Sequence, residues 1–583
     1  MEWRHIQMAR RVLASERGAI VKDWGGQLPI ALVYPNSYAV GMSSLAMHGL
    51  YRLLNAQPGI LCERAFATLS ARARPADPVL TLESQRAIAD LAVIAFTVSF
   101  EMDYLNIVAI LRRAQVPLRA EERREGDPLV LLGGPAISAN PEPLALLADA
   151  IVIGEGEPLL EDLAAGLRGA WTEARADLLA ELARLPGVYV PLLHEGQPIR
   201  RLWLEDLDAY PLTTSVIAPR AEFGDMYLIE MARGCGRGCR FCLAGYWYRP
   251  PRERALESLL EQAREGLRYL PKIGLVASAV SDYARIEELV TALRRMGAQL
   301  SVSSLRVKPL SPVLVRALEE SGAQAFTLAP EAGSERLRCA VNKGVTHDDI
   351  LEATRLAAAH RFETLKLYFM VGLPGETDDD IDDLLRLVAE IRGLFPRHIV
   401  INVTPFVPKA HTPYERVAMA PAETLRHRLS LLRERLGQMR IELRAETVAE
   451  ACVQGILARG DRAVGRALLD MPRPSLAHWE RAMARAGLEA EAYLRERAIE
   501  ETLPWDFVAS GIRRSYLTAE RQRSERQVQT EACNVGACRR CGVCDRVLVG
   551  GGAPDQGAGV RSREFPSPDA KASGFQPGEA KLG

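Results

Sequence analysis

The sequence predicts an α/β protein in three parts: a doubly wound N-terminal domain, a partial (β/α)6 barrel, and a helical C-terminal region. Short apolar runs alternate with amphipathic stretches from residue 28 to residue 406. Arginine-rich helical periodicity takes over between 420 and 530. At 583 residues the chain is too long for one core, and its length points to about three or four domains.

The runs LPIALVYP (28–35), LAVIAFTVSF (91–100), PLVLLGGP (128–135) and ADAIVIGEGE (148–157) read as buried parallel strands. Each ends in a turn signal and leads to an amphipathic segment such as SSLAMHGLYRLLNA (43–56). That is the pattern of a Rossmann-like domain, which binds ligands at the carboxyl ends of its strands. A second series runs through MYLIEMARG (226–234), IGLVASAV (273–280), QLSVSSLRV (299–307), AQAFTLAP (323–330), TLKLYFMVG (364–372) and HIVINVTPF (398–406). Six strands separated by helical patterns predict a whole or partial parallel barrel, with its chemistry on the loops after the strands.

The expected divisions are a Rossmann-like domain over 1–200, a linker at 201–222 within the proline-bearing stretch 186–220, and a barrel over 223–420. A helical region over 421–530, a four-cysteine segment at 531–546 and a Gly/Pro/Ser-rich tail at 547–583, expected to be disordered, complete the chain.

Net charge is −1, so no global field draws the protein to nucleic acid or an anionic membrane. Only eight of the 73 basic residues are lysine, and arginine is enriched along the whole chain, a composition bias rather than a binding patch. The start, MEWRHIQMARR, lacks a secretory h-region, and the longest apolar stretch (91–100) is far short of the roughly 20 residues a span requires. A cytoplasmic protein with no membrane partner is expected.

Seven of the ten cysteines fall in two tight clusters, which argues for metal or catalysis before disulfides. Cys235, Cys239 and Cys242 follow the first strand of the second series, in RGCGRGCRFC. A structural zinc takes four ligands. Here no fourth cysteine or histidine is near, and His194 lies on another segment. Three thiolates on a cubane that normally takes four leave one iron open. An open site is chemistry rather than scaffolding. Cys533, Cys538, Cys541 and Cys544 form C-x4-C-x2-C-x2-C, too tight for unstrained local disulfides, and fit either a second [4Fe–4S] cluster or a zinc ion. With no open position, that site would relay electrons or organise local folding. Cys62, Cys339 and Cys452 are isolated and expected to pack as small apolar residues.

Cys235–x3–Cys239–x2–Cys242, with Phe241 before the last thiol and a (β/α) series following, resembles the radical S-adenosylmethionine (SAM) superfamily. In that family the open iron chelates the amino and carboxylate groups of SAM, and one electron cleaves the sulfonium to methionine and a 5′-deoxyadenosyl radical. The resemblance implies a flavodoxin- or ferredoxin-like reducing partner. GLPGET (372–377) resembles the family's adenine-side glycine motif, giving Gly372 and Gly375 a cofactor-binding role. APEAGSERLRCAVNKG (329–344) resembles a fourth-strand motif whose Glu331 and Ser334 would face the ribose or methionine part. SAVSDY (278–283) stands where the family holds the methionine amine. It lacks the usual glycines, so the role falls on Ser278, Ser281 and Asp282.

GGPAISANPEPLALLADAIVIGEGEPLLEDL (133–163) resembles the cobalamin-binding domain that precedes many radical SAM enzymes. The resemblance implies cobalamin beside Gly133, Gly134 and the TVSFEMDY loop with Thr97 and Ser99. The family's cobalt-ligating histidine is missing from YPNSYAVGMSS (34–44), and His48 is expected to pack on a helix instead. RGDRAVG (459–465), LPWDFVASG (503–511) and INVTPFVPKAHTPYE (401–415) extend the likeness over roughly residues 5–546, to a subgroup carrying both the cobalamin-binding-like domain and the C-terminal cysteine cluster.

The expected function is a radical SAM enzyme acting at an unactivated carbon, with cobalamin-dependent methyl transfer as its natural reaction. Rearrangement, oxidation or sulfur insertion without cobalamin is the alternative. Methylthiotransferases share the domain order but carry three cysteines in their first domain, where this chain has only Cys62. A non-catalytic iron–sulfur redox or RNA-binding protein is the reading of another class; GLPGET and APEAG would serve nothing in it. Fold names no substrate: RNA, protein, lipid and secondary metabolite stay open, and no general acid or base is assigned. Tyr246, Trp247 and Tyr248 are candidates to face substrate or to pack at the barrel mouth. Lys409 and His411 are candidates to line the site.

Overall fold

The computed structural model describes residues 3–69, 77–171 and 173–545. The expected disordered tail at 547–583 lies outside the described residues.

The first sheet has six strands: β1 (Leu28–Ser37), β2 (Ile60–Thr68), β3 (Val93–Thr97), β4 (Leu129–Gly133), β5 (Ala150–Val152) and β6 (Val188–Tyr189). Their order is β2-β1-β3-β4-β5-β6, parallel except for β6. Alternate residues serve opposite faces. Ile30, Leu32 and Val93 pack with Met47 and Tyr51 of the helix Leu45–Asn55. Val33, Ile94 and Phe96 pack with Ile107 and Leu111 of the helix Asp103–Arg113. That second face is finished from far along the chain: Ile456, Leu457, Val464, Leu468 and Trp479 join the same core. The helical region therefore covers the first domain rather than standing apart.

β2 breaks the apolar pattern with Glu63 and Arg64, yet both are buried. The Arg64 guanidinium lies 2.6 Å from Glu16 and 2.8 Å from Glu83, and it stacks over Tyr51 at 4.7 Å. Charges this deep persist only when paired.

The connector is not a free linker. β7 (Ile199–Arg200) receives a late strand over Val508–Ala509, and Thr213 bridges to Ile229. The barrel follows with β8 (Tyr227–Glu230), a short antiparallel ribbon of β9 (Ala232–Arg233) and β10 (Arg252–Glu253), then β11 (Lys272–Val276) and β12 (Gln299–Val302). β13 (Ala325–Glu331), β14 (Thr364–Val371), β15 (His398–Pro405) and β16 (Glu442–Ala445) complete it. The parallel groups β12-β11-β8 and β13-β14-β15-β16 are joined by a Leu305–Leu328 bridge. The six expected strands thus form an open barrel, extended by β16 as a seventh.

In β14 the residues Leu365, Leu367, Phe369 and Val371 are buried toward the helices, while Lys366, Tyr368 and Met370 on the opposite face are not. β13 alternates in the same way. The lumen is open.

Candidate active site

The three-cysteine loop leaves the barrel at β8 and returns through the β9–β10 ribbon, so its two ends are pinched together. Its carbonyls are held from outside. Asn342 donates to the carbonyls of Arg237 and Gly238, both at 3.1 Å, and the Tyr246 hydroxyl donates to Gly238 at 3.0 Å. Arg240 is fully buried, paired with Glu520 at 3.1 Å and donating to the Ala340 carbonyl at 2.7 Å.

The thiols stand within electrostatic reach of one another. Burial pushes the Cys242 thiol up to about 12, with Cys239 and Cys235 adding to the rise. Burial also raises Cys235, and Cys239 raises it further. This opposition to ionisation at Cys235 and Cys242 is what a bound cationic centre relieves. Among the described residues no three His, Cys, Asp or Glu side chains close around a single ion.

Charged pairs ring the loop. Arg237, between the first two cysteines, grips Asp282 at 2.7 and 2.9 Å. Lys343 meets Glu331 at 2.8 Å, and the Cys239 thiol helps raise the ammonium's affinity for its proton. Glu331 holds φ at +70°, a strained setting for a side chain, where β13 loses its register with β14. The buried Ser281 hydroxyl has no hydrogen-bond partner among the described residues. Ser278 is exposed.

Ser334 is differently committed. Its hydroxyl caps the helix Glu335–Ala340 and donates to Asp380 at 2.6 Å, with the residue 3% exposed. Phe241 packs against Leu337, Leu373 and Phe406, between the cysteine loop and the GLPGET loop. Gly372, Gly375, Tyr414, Val417 and Arg428 line a cavity of about 370 Å³. Gly372 needs φ of +79°, and a Cβ there would meet Leu425 at 2.6 Å; at Gly375 (φ +74°) the space is open. In the cavity wall, burial pushes Glu376 up to about 7 against the opposing Gly372 N–H and Arg428.

The carboxyl edge of the first sheet meets that of the barrel. Lys409 pairs with Glu101 at 2.6 Å, the His411 ring lies 3.1 Å from the Ala139 carbonyl, and Arg233 and Arg252 converge on Glu155 at 3.0 and 2.7 Å. Lys409 and His411 thus pin this seam, and burial lowers His411 to about 3. Trp247 enters the first-domain core and stacks near His411 at 5.0 Å, while Tyr246 packs with Tyr516 and Cys541. Both rings are packed.

Of the residues expected beside cobalamin, Thr97 is buried and Ser99 exposed. Gly133 keeps space, its nearest foreign atom 3.9 Å from a Cβ position. Gly134 does not: at φ +109° a Cβ would fall on the Val98 backbone, with the nitrogen 2.7 Å away. Its missing side chain lets β3 and β4 approach. His48 is buried, its ring bonded to the Met42 carbonyl at 3.0 Å and to the Ser215 N–H at 3.2 Å. Cys62 is wholly buried in β2.

The tail cysteines dock on the loop. The Cys533 N–H donates to the Gly236 carbonyl at 2.7 Å, and the Cys533 thiol lies within electrostatic reach of Cys538, Cys541 and Cys544. Sequence reasoning also passed over the lumen residues Tyr368 and Asn402, opposed across β14 and β15. Tyr368 is 41% exposed in mid-strand, and the buried Asn402 Nδ2 is unpartnered among the described residues. The alternation in TLKLYFMV carried that signal.

Residues 46–191 match the family described as radical SAM proteins, N-terminal, and residues 229–388 match the radical SAM superfamily. An uncharacterized protein of Methanocaldococcus jannaschii is 32% identical over 445 residues, spanning 75% of this chain and 90% of its own. A tRNA-2-methylthio-N(6)-dimethylallyladenosine synthase of Marinomonas sp. is 25% identical over 48% of this chain, which spans 62% of that relative's length. Among solved structures, the radical SAM methyltransferase TsrM of Kitasatospora setae shares 17% identity and a TM-score of 0.44, over 65% of this chain and 73% of that one. Among the described residues no helix is long and apolar enough to cross a membrane. With both family matches falling on the two parallel-sheet domains, and with a relative covered almost end to end, the chain belongs to the radical S-adenosylmethionine superfamily and is an enzyme.

Proposed function

We propose that Cys235, Cys239 and Cys242 hold a [4Fe–4S] cluster whose open corner takes SAM, and that the enzyme modifies an unactivated carbon in the barrel lumen. The carrying observation is three soft thiols within eight residues on one pinned loop at the carboxyl end of β8, beside barrel strands whose inner-face residues are open. The residues fit the group: the donor set is three soft thiols, and the rim offers an unpartnered buried hydroxyl at Ser281. When bound, the cluster supplies the electron that splits the SAM sulfonium into methionine and a 5′-deoxyadenosyl radical.

The chain's own groups position the reactants. Asp282 and Glu331, each tethered by a cation, present carboxylates on the rim for the SAM amine and ribose. Gly375 leaves backbone open for the flat adenine ring, and Phe241 closes the apolar wall beside it. Ser334 holds the helix that carries this wall. Tyr368 and Asn402 line the substrate's side.

Cobalamin-dependent methyl transfer is the leading reaction. It is supported by the first sheet's carboxyl edge, which faces the cysteine loop, and by the space at Gly133. The filled cradle at Gly134 and the Glu101–Lys409 closure favour a second reading, in which this domain is a scaffold and the radical step is rearrangement, oxidation or sulfur insertion. The four tail cysteines are a second metal site, for a second [4Fe–4S] cluster or zinc.

Protein reconstituted with iron and sulfide without air, given dithionite and SAM, is expected to release 5′-deoxyadenosine. Cys239→Ala should lower that rate at least about 1000-fold, some 4 kcal/mol of barrel-mouth chemistry. Unchanged release would overturn the assignment. Cobalt retained after purification with cobalamin supplied supports the methyl-transfer reading; cobalt-free protein that still turns over supports the scaffold reading.

A further inference from the structure

We propose that the barrel lumen takes a small substrate carrying an anionic oxygen group, a carboxylate or a phosphate, which Lys366 and Asn402 hold while its flat body lies on Tyr368. This rests on the reading of the lumen as the substrate's chamber, and it goes further by assigning the substrate's charge and the order of its parts.

Lysine is scarce in this chain, eight of 73 basic residues. Six of the eight are among the described residues, and five of those are engaged. Lys22 donates to the Asn55 and Ile60 carbonyls at 2.5 and 2.9 Å. Lys272, Lys308, Lys343 and Lys409 meet Asp225, Asp349, Glu331 and Glu101 at 3.0, 2.8, 2.8 and 2.6 Å. Lys366 alone of the six makes no hydrogen bond or ion pair among the described residues.

Its place is the lumen. Lys366 is the third residue of β14, half-buried, on the face turned away from the helices. Its register partner on β13 is Thr327, half-buried on the same face. Two residues nearer the carboxyl end, Tyr368 stands opposite Asn402, whose Nδ2 is buried and unpartnered among the described residues. The next row pairs Met370 with Thr404. Below Glu331, this face of β13, β14 and β15 carries no acid. The bordering carboxylates are taken: Glu331 by Lys343, and Glu442 by His398 at 3.0 Å and Arg444 at 2.7 Å.

An ammonium, a buried amide N–H and a threonine hydroxyl therefore stand on three adjacent strands, each strand about 5 Å from the next. A buried donor without an acceptor is costly, and the unmatched charge beside it calls for an anion. A neutral carbonyl would satisfy Asn402 and leave Lys366 unmatched. A carboxylate or phosphate satisfies both, since its several oxygens only accept.

The strand sets the order of the substrate's parts. From Lys366 to the end of β14 at Val371 is about 16 Å of strand, of which the lysine stem reaches over a part. Along that length Tyr368, 41% exposed, offers a ring face, and Val276 of β11, 38% exposed, offers apolar surface. Met370 comes last, nearest the end from which the cysteine loop leaves. The anionic group thus lies deep, the flat body in the middle, and the carbon to be modified beside Met370.

Lysine labelling tests this on the full, anaerobically reconstituted enzyme. A limiting amount of the N-hydroxysuccinimide ester of acetic acid should acetylate Lys366, read by peptide mass mapping. About 10 mM phenylacetate or phenyl phosphate should slow that acetylation at least about threefold, as a site with a Kd near 5 mM would. The neutral phenylacetamide should leave it unchanged, and surface Lys308 should ignore all three. Protection by one anion alone identifies the group as carboxylate or phosphate; protection by both shows a site that reads charge. An unreactive Lys366, no protection by either anion, or equal protection by phenylacetamide would overturn the proposal in wild-type protein. In Asn402→Leu, Lys366 should still react while the protection disappears; protection kept in full would also overturn it. Failure of the underlying reading looks different: the same reconstituted enzyme would make no 5′-deoxyadenosine from SAM and dithionite, whatever the labelling shows.

Discussion

β1 buries its first eight residues in a row, whereas β14 alternates buried and open ones along its whole length. Both strands are central in parallel sheets, and helices flank both. The first sheet is covered on each face, down to late helices that return to finish its core. The barrel sheet is covered only outside. The comparison teaches where chemistry has room: the first domain offers an edge, and the barrel offers a volume into which that edge looks.

The difference can be tested by breaking each side in turn. Arg64→Ala, which strips buried Glu16 and Glu83 of their partner, should cost about 3–5 kcal/mol in denaturant unfolding. Phe369→Ala, on the helix-facing side of β14, should cost about 3–5 kcal/mol through lost burial and a cavity. If both cost little, the two cores are not packed as described. Gly134→Ala, where a Cβ meets the Val98 backbone at φ +109°, should cost at least about 1–3 kcal/mol. Gly375→Ala, equally left-handed but unobstructed, should cost about 1–2 kcal/mol from conformation alone. A larger effect at Gly375 would reverse the contrast between filled and open glycines.

The seam between the two domains should respond to acid. Burial holds His48 at about 4 and His411 at about 3, both below the ordinary 6.5. The unfolded chain therefore takes up these protons first. Stability contributed by neutral histidine is complete above pH 6.5 and falls as pH drops toward 4, by up to about 1.4 kcal/mol per pH unit for each ring. His411→Asn should flatten part of that slope in thermal unfolding followed from pH 7 to 4.5. The smallest stability effect belongs to the lumen: Tyr368→Ala should change unfolding by no more than about 0.5 kcal/mol, because its ring is already open. Turnover, not stability, is where that substitution should register.

Much of this architecture could be read from spacing. The strands expected at 28–35, 91–100, 128–135 and 148–157, and the six of the barrel, overlap β1, β3 to β5, β8 and β11 to β15. β2 escaped because Glu63 and Arg64 interrupt its apolar run, and only the tertiary partners Glu16 and Glu83 make that burial affordable. β16 is four residues with two exposed, too short and polar to stand out. The cysteine sets were legible as local patterns. Their adjacency was not, since Gly236 and Cys533 are almost 300 residues apart and no local periodicity encodes that contact. The same holds for Lys409 and His411: their place at the barrel's carboxyl end was readable, but their partners Glu101 and Ala139 belong to another domain.

The account turns on three thiols sharing one cluster with a corner left for SAM. The most direct measurement is the low-temperature EPR spectrum of the reduced protein before and after SAM is added. A cluster signal that shifts on addition, and that is missing from Cys235→Ala, is the predicted result. A spectrum indifferent to SAM, or one that survives intact in Cys235→Ala, would contradict it.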